Sequence, residues 1–526
     1  MRIFSPLNSE LAPGLQEIEV SSTFQIPSMQ LIGLPAPEVG EARERVRAAI
    51  EAAGLEFPKR RLVVNLSPAS VRKRGTGIDL AIALGVLASN ERDPLAGEDT
   101  VAWGELGLEG SIKPAGQPTR TLVAAWRAGV ARLLLSPEDL AFVEARIELV
   151  ARCENLSSPP PRLIGVRTLA EAWDRLRGVA ELENPPAPRI VPFPRARAVT
   201  GHHLMPLGLT LQRAIGAAAA GAHHLLLLGP QGVGKSHALE WLASIQPPAG
   251  VEQKLARLLA AELNPGAMPA TELSDEPPPC RRVSAHARPA ALVGSAFAGH
   301  VRPGEYSLAH GGLLIADEFP EWARDARESL REPLESGRVI LNRAGASVEL
   351  PARFTLAASG NLCPCGGWPP ELPRPEAEQG APVSALCGCP AAARARYLER
   401  LSGPVLDRVD LTILVSMPAI RKAAESRFEL IREKTALVHE HSRLLWGKPA
   451  GWLEGWELEK LCGEHPRWRD HLEAVDCTSL RARHKILRTA LTLALWDDRE
   501  EPEAGQFWEA SFYRPERAGI MRRAAS

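Results

Sequence analysis

No apolar run in this 526-residue chain approaches the roughly 18 residues that a membrane-spanning helix needs, so a helical channel or transporter is excluded and no membrane partner is expected. Met1-Arg2-Ile3-Phe4-Ser5 leads into no long apolar core and no small-residue cleavage site, and no secretory leader is expected. Cysteine is sparse: eight in a chain of this length do not make a disulfide scaffold, and the reducing cytoplasm is the expected compartment. Charge of one sign is lacking too. With 62 Lys and Arg against 63 Asp and Glu the formal charge is −1, so any polyanion contact must be local. Internal repeats are absent. What is present is an ordinary globular composition, 45% apolar and 24% charged, which excludes disorder as the main state. The length suggests roughly three domains.

Proline marks the boundaries. Ser157–Arg162 reads SSPPPR and suits a surface loop, because the helix-like run Leu169–Leu176 follows it. Asn184–Arg195 reads NPPAPRIVPFPR and is the expected inter-domain linker, taken as residues 181–198. Pro369–Pro382 is an acidic loop. Before the linker (1–180), strands and helices alternate. Val39, Ala42, Val46, Ala49, Ile50 and Ala53 fall at helical spacing, Arg61–Leu66 reads as a strand, Asp79–Ala88 as a buried helix and Leu133–Leu135 as another strand. After it (199–418) come a helix over Thr210–Ala220 and strands at Leu225–Leu228, Leu313–Ala316 and Phe354–Ala358, a pattern that predicts a parallel sheet with crossover helices. Beyond about Ala419 (419–526) a helical domain is expected, with Trp452, Trp456 and Trp468 in amphipathic surroundings.

The clearest chemistry is Gly229-Pro230-Gln231-Gly232-Val233-Gly234-Lys235-Ser236, a full G-x-x-x-x-G-K-S phosphate-binding loop. Four leucines precede it as a strand and His237–Ala243 continues it as a helix, which is the context the mechanism needs. The glycines let backbone N–H groups turn inward on phosphates, and the helix N-terminus adds partial positive charge. Lys235 would reach the β- and γ-phosphates of ATP and Ser236 would ligate Mg²⁺. About 80 residues on, Leu313–Ala316 ends in Asp317 and Glu318. Neighbours on a strand point to opposite sides, so Asp317 is expected to turn to the Mg²⁺ shell and Glu318 to polarise an attacking water. That division predicts an ATP hydrolase rather than a kinase.

Long stretches then carry a resemblance: 302–321 (RPGEYSLAHGGLLIADEFPE), 331–338 (REPLESGR) and 401–411 (LSGPVLDRVDL). Together they resemble the magnesium-chelatase-like branch of AAA+ ATPases, and within it the ComM/YifB family, nearly end to end. The fold class this implies is α/β: a Lon-protease-like N-terminal α/β domain, an AAA+ P-loop NTPase core and a C-terminal helical lid. It further implies that Asn361 is the sensor positioning the water, Arg408 the arginine finger and Arg481 the second sensor. A finger acting in trans implies a head-to-tail ring, by resemblance a homo-hexamer. The stretches Leu31–Pro35, Glu41–Arg47 and Val64–Pro68 resemble the family's N-terminal domain, whose likeness to the Lon protease raises the question of peptidase activity. The serine such a site needs is replaced by Gly77 and the lysine by Thr119, and Thr76 has no base beside it, so none is expected.

Cys363-Pro-Cys365 and Cys387-Gly-Cys389 form two C-x-C pairs. Four thiolates are enough for a tetrahedral Zn²⁺, and four reduced surface thiols are the other reading. Such a metal would brace the loop that carries Asn361. Val339–Val348 reads as a hairpin with Asn342–Gly345 at its turn. By resemblance it enters the ring pore, which makes Arg343 the candidate for gripping a nucleic-acid backbone. Lys59, Arg60, Arg61, Arg72, Lys73 and Arg74 cluster in sequence and form either a phosphate-holding patch or a solvated face. The chain departs from the family pattern at Leu209, where a glutamine is usual, at Leu362, where proline is usual, and at His286, which stands alone beside Arg288 where the family has two histidines. By resemblance the expected activity is a DNA translocase driving branch migration of single-stranded or branched DNA during natural transformation. A chelatase-type motor acting on a protein, or an ATP-regulated DNA scaffold, are the alternatives.

Overall fold

The computed structural model describes residues 1–7, 13–68, 73, 75–91, 99–154, 156, 158–179, 207–262, 278–297, 300–343, 346–368, 387–401, 403–415, 428–475 and 479–514. The linker expected at 181–198 lies outside them.

The first unit is built on a seven-stranded sheet in the order Ser28–Ile32, Arg61–Ser67, Gly14–Thr23, Ile3–Leu7, Thr100–Trp103, Arg132–Leu135, Arg162–Gly165. Gly14–Thr23 runs antiparallel to both of its neighbours, and the other pairs are parallel. The run Ile78–Leu87, apolar but for Asp79, forms a helix buried at every position, and the Asp79 carboxylate accepts from Arg45 at 2.7 Å. That burial is why it shows no amphipathic stripe. Gly85 lets it approach the sheet, since a Cβ there would lie 3.1 Å from Val20 Cγ2.

The second unit has a five-stranded, wholly parallel sheet ordered Cys280–Val283, Leu313–Ala316, Thr355–Gly360, Leu225–Leu228, Leu411–Leu414. Alternate side chains face opposite layers. Leu225, Leu227, Leu313, Ile315 and Ala357 share a core with the helices Leu209–Gly221 and Lys235–Ser244. Leu226, Leu228, Leu314, Ala316 and Leu356 share another with Tyr306, Phe319 and the hairpin Arg338–Arg343/Ala346–Pro351.

The remaining chain is helical among the described residues: Phe428–Trp446, Gly455–Glu464, Pro466–Ala474, Leu480–Trp496 and Ala504–Phe512. These helices close over Leu209–Gly221. Gly216 makes the approach possible, because a Cβ there would sit 2.2 Å from the Trp496 ring. Arg213 locks it, with its guanidinium forked onto Asp497 (2.6 Å) and Glu509 (2.7 Å).

Candidate nucleotide-binding site

The loop 229–234 leaves the carboxyl end of the strand Leu225–Leu228, at the crevice where strand order reverses, the usual ligand site of an open parallel sheet. Gly232 and Gly234 take positive φ (79° and 85°), the conformation that turns successive N–H groups to one side. At Gly229 a Cβ would strike the Val415 carbonyl oxygen at 2.5 Å. Lys235, the first helical residue, is 8% exposed. Its ammonium donates to the carbonyls of Gly229 (2.9 Å) and Pro230 (2.7 Å) and to Asn361 Oδ1 (3.0 Å). Burial lowers it to about 8, partly opposed by Asp317 and Glu318.

Ser236 Oγ donates to Asp317 Oδ2 at 2.9 Å, so two oxygen ligands suited to a hard cation stand together. The strand ends at Ala316, and Asp317 and Glu318 lie beyond it. Strand alternation therefore does not divide the two acids, as the sequence had led us to expect. Glu318 enters the left-handed region (φ 51°), a costly conformation for a non-glycine residue, and this swings its side chain into solvent while Asp317 stays half-buried. Ser359, which sequence reading missed, holds the turn: its hydroxyl donates to Asp317 Oδ1 and accepts from the Glu318 N–H at 3.4 Å. Its only signal is a hydroxyl where the buried strand Thr355–Gly360 meets Asn361.

The two arginines are at the other edge. Arg408 and Asp410 precede the strand Leu411–Leu414, just as His224 precedes Leu225–Leu228. Arg408 donates to the Pro404 carbonyl (2.7 Å) and to Glu335; Arg481 donates to the other Glu335 oxygen at 2.9 Å. Glu335 is held below the usual carboxylate range by these partners, Arg408 first. The cavity beside them, about 460 Å³, is also lined by Arg353, Lys485 and Arg488. From His224 to Gly229 the strand Leu225–Leu228 spans about 16 Å at its usual rise.

The four cysteine sulfurs lie within 4.8 Å of one another. Burial pushes the Cys363 thiol up to about 12, while the Gly367 N–H draws Cys365 down to about 7. The hairpin is present, with Arg343 paired to Ala346 in its last rung; residues 344 and 345 lie outside the described residues. The basic run is smaller than expected. Lys73 is buried and donates to the Pro68 carbonyl, Arg72 and Arg74 lie outside the described residues, and Arg60 stacks on Phe24 at 4.2 Å. His286 and Arg288 are exposed, as is Leu209.

Contrary to the sequence expectation, Thr76 is not without an acceptor: its hydroxyl donates to the Glu105 carboxylate. A Cβ at Gly77 would meet Trp103 at 2.4 Å and Ala115 Cβ at 2.6 Å. The N–H groups of Thr119 and Arg120, at the start of the helix Pro118–Arg127, donate to Glu262 at 3.0 and 2.9 Å, a carboxylate supplied by the second unit.

A parallel sheet with a phosphate loop after the strand Leu225–Leu228 and an acidic pair after Leu313–Ala316, the strand Thr355–Gly360 lying between them, marks a P-loop ATPase of the AAA+ class. The family described as magnesium chelatase, subunit ChlI matches residues 208–423, and the one described as subunit ChlI of Mg-chelatase matches 18–139. The chain is 33% identical over 512 residues to the YifB protein of Salmonella typhimurium and 32% identical over 520 residues to the competence protein ComM of Haemophilus influenzae, each time over 94% of this chain and 93% of the relative. It is 34% identical over 467 residues to a Mycobacterium tuberculosis protein, covering 87% of this chain and 85% of that one. The chain belongs to the magnesium-chelatase-like ComM/YifB family. ATP and Mg²⁺ are the cofactors that family implies. No described helix is long and apolar enough to cross a membrane.

Proposed function

We propose that this chain is a Mg²⁺-dependent ATPase that works as a ring, a homo-hexamer in the family manner, and moves on DNA. One observation carries the ring. The phosphate loop lies at the carboxyl edge of the sheet and the paired arginines at the amino edge, about 16 Å away by strand rise, beyond the reach of an arginine side chain. Each protomer thus carries half of two sites, and a head-to-tail neighbour completes them. Arg481 shares Glu335 with Arg408, so both serve the neighbour's phosphates rather than their own.

In this reading the backbone of Gly229–Gly234 and Lys235 bind the phosphates, and Ser236 and Asp317 hold Mg²⁺, whose charge neutralises the β- and γ-oxygens when bound. Glu318, free of the strand, takes the proton of the attacking water; Asn361 orients that water and Lys235 together. Arg408 and Arg481 stabilise the charge that develops on the transferred phosphoryl group. The first unit is a Lon-like domain without peptidase chemistry, and the C-terminal helices are the lid. Cys363, Cys365, Cys387 and Cys389 hold Zn²⁺.

DNA as the track, with branch migration as the outcome, is supported by the likeness to a competence protein, and Arg343 is the residue assigned to grip it. Likeness to magnesium chelatase favours a second reading, a motor acting on a protein partner. Stimulation of hydrolysis by DNA separates the two. The decisive experiment compares unwinding of forked and four-way DNA by the wild type, Lys235→Ala and Glu318→Gln. The wild type should unwind both; Lys235→Ala should lose nucleotide turnover; Glu318→Gln should hold ATP without cleaving it. Binding without unwinding by the wild type would leave a scaffold.

A further inference from the structure

Two hydrogen bonds join the cysteine loop to the phosphate loop. The Gln231 N–H, inside the loop that wraps phosphate, donates to the Gly366 carbonyl at 2.7 Å. Asn361, two residues before Cys363, accepts from Lys235 at 3.0 Å. The intervening chain, Cys363–Gly366, is a tight turn: the Gly366 N–H donates back to the Cys363 carbonyl at 3.1 Å, and Gly366 needs its positive φ of 74°. Trp368 closes the turn by donating its N–H to Cys363 Sγ at 3.3 Å. Cys387 and Cys389 come from a separate segment, so whatever joins the four sulfurs fixes this turn from outside.

The sulfurs are spaced for one ion. Cys363 to Cys365, Cys365 to Cys387 and Cys387 to Cys363 are 3.4, 3.5 and 3.6 Å. A disulfide needs about 2 Å, so these are not bonded pairs. Four thiolates on one Zn²⁺ at about 2.3 Å stand about 3.8 Å apart, close to what is observed. Thiolates of an iron–sulfur cluster sit on different irons and spread further. Buried Cys363 and half-buried Cys387 and Cys389 provide a partly dry shell, with the Trp368 N–H as an outer partner to one sulfur.

We propose that Cys363, Cys365, Cys387 and Cys389 bind one Zn²⁺ whose work is to tether the phosphate loop through Gly366 and Asn361, so that metal occupancy sets nucleotide affinity. The tether rests on the nucleotide-site reading above. It needs no ring and no DNA.

The test measures zinc content and the affinity of a fluorescent ATP analogue on the purified full-length chain. The wild type should carry one zinc per chain. Cys365→Ser combined with Cys389→Ser should lose the metal and bind the analogue roughly three- to tenfold more weakly, the range one backbone hydrogen bond commands. Gly366→Val, strained at positive φ and with its Cβ pressed against Gln231, should keep the zinc yet lose affinity by a similar factor. Should the cysteine variant fold poorly, the wild type stripped by a chelator and refilled with Zn²⁺ or Co²⁺ supplies the same comparison. The refilled Co²⁺ form should show the absorption of a tetrahedral tetrathiolate site. By reciprocity the analogue should tighten zinc affinity by the factor that zinc tightens the analogue. Zinc-free protein binding the analogue as tightly as the wild type overturns the tether, and so does absence of metal from the wild type. A chain that holds zinc but binds no nucleotide refutes the phosphate-loop reading, and the tether falls with it.

Discussion

Burial lowers the Lys235 ammonium to about 8, and a phosphate group beside it raises it again. Wherever the free lysine is neutral, binding must take up a proton. Nucleotide affinity is therefore expected to be level below about pH 7 and to fall by up to tenfold per pH unit above about pH 8. Titrating the fluorescent analogue across that interval checks the sign; affinity that rises with pH would remove Lys235 from the phosphates. Glu335 makes a different prediction. It gathers two guanidinium groups on one carboxylate, and without it their like charges push the forks apart. If those arginines act on a neighbour's transition state, Glu335→Gln should lower kcat by about ten- to a hundredfold while KM for ATP barely moves. A KM effect with unchanged kcat would make Glu335 a binding residue instead.

At the level of elements, the sequence was most informative where one local rule sufficed. The four leucines before Gly229 are both the strand and its exact length, and Leu313–Ala316 was read to the residue. The helix read as Thr210–Ala220 runs Leu209–Gly221. The edge strand Cys280–Val283 was not read, because CRRV has neither alternation nor an apolar run; pairing with Leu313–Ala316 makes it a strand. The opening strands of the first unit do alternate, at Ile18-Glu19-Val20 and Met29-Gln30-Leu31, but over stretches too short to mark a strand without their partners. In the site, Lys235, Ser236 and Asp317 were legible because their spacing is fixed by one loop and one strand. Glu335, Ser359 and Gly366 were not, since each acts through a partner distant in sequence. The helix Ile78–Ala88 gives this level its prediction. Its N-cap is Gly77, where Trp103 and Ala115 leave no room for a Cβ. Gly77→Ser should cost about 1–3 kcal/mol through overpacking, seen as a lower thermal midpoint. Paired with Thr119→Lys it should still cleave no peptide, because Trp103 fills the space a nucleophile would need. Peptide cleavage by that double variant would show the pocket to be dormant rather than filled.

Across the whole molecule, the two sheets meet through the helix Val251–Ala261 of the second unit. Its Leu255 is buried in the core of the first unit, and its capping residue Glu262 receives the N–H groups of Thr119 and Arg120 at 3.0 and 2.9 Å. The same helix packs against Glu305–Leu308 and the hairpin strand Ala346–Pro351, so it touches both the first unit and the element assigned to the pore. A carboxylate at a helix N-terminus satisfies orphan donors and faces positive partial charge. Here it also lies within the field of the buried Arg120 and Arg146, whose guanidinium groups burial lowers and Glu262 partly restores. Removing it strands two N–H groups and leaves those cations without that counter-charge, a change of the kind that costs about 3–5 kcal/mol in a buried pair. Glu262→Ala should therefore lower the melting of the first unit by about 6–20 °C, on the scale of 2–4 °C per kcal/mol for a unit of this size. Calorimetry should resolve this as a separate early transition while affinity for the ATP analogue holds. If the helix transmits motion, hydrolysis should survive in Glu262→Ala while its stimulation by DNA falls, because the hairpin and the first unit no longer move as one. A variant that melts as the wild type does would mean that Leu255 and its apolar neighbours alone hold the units together.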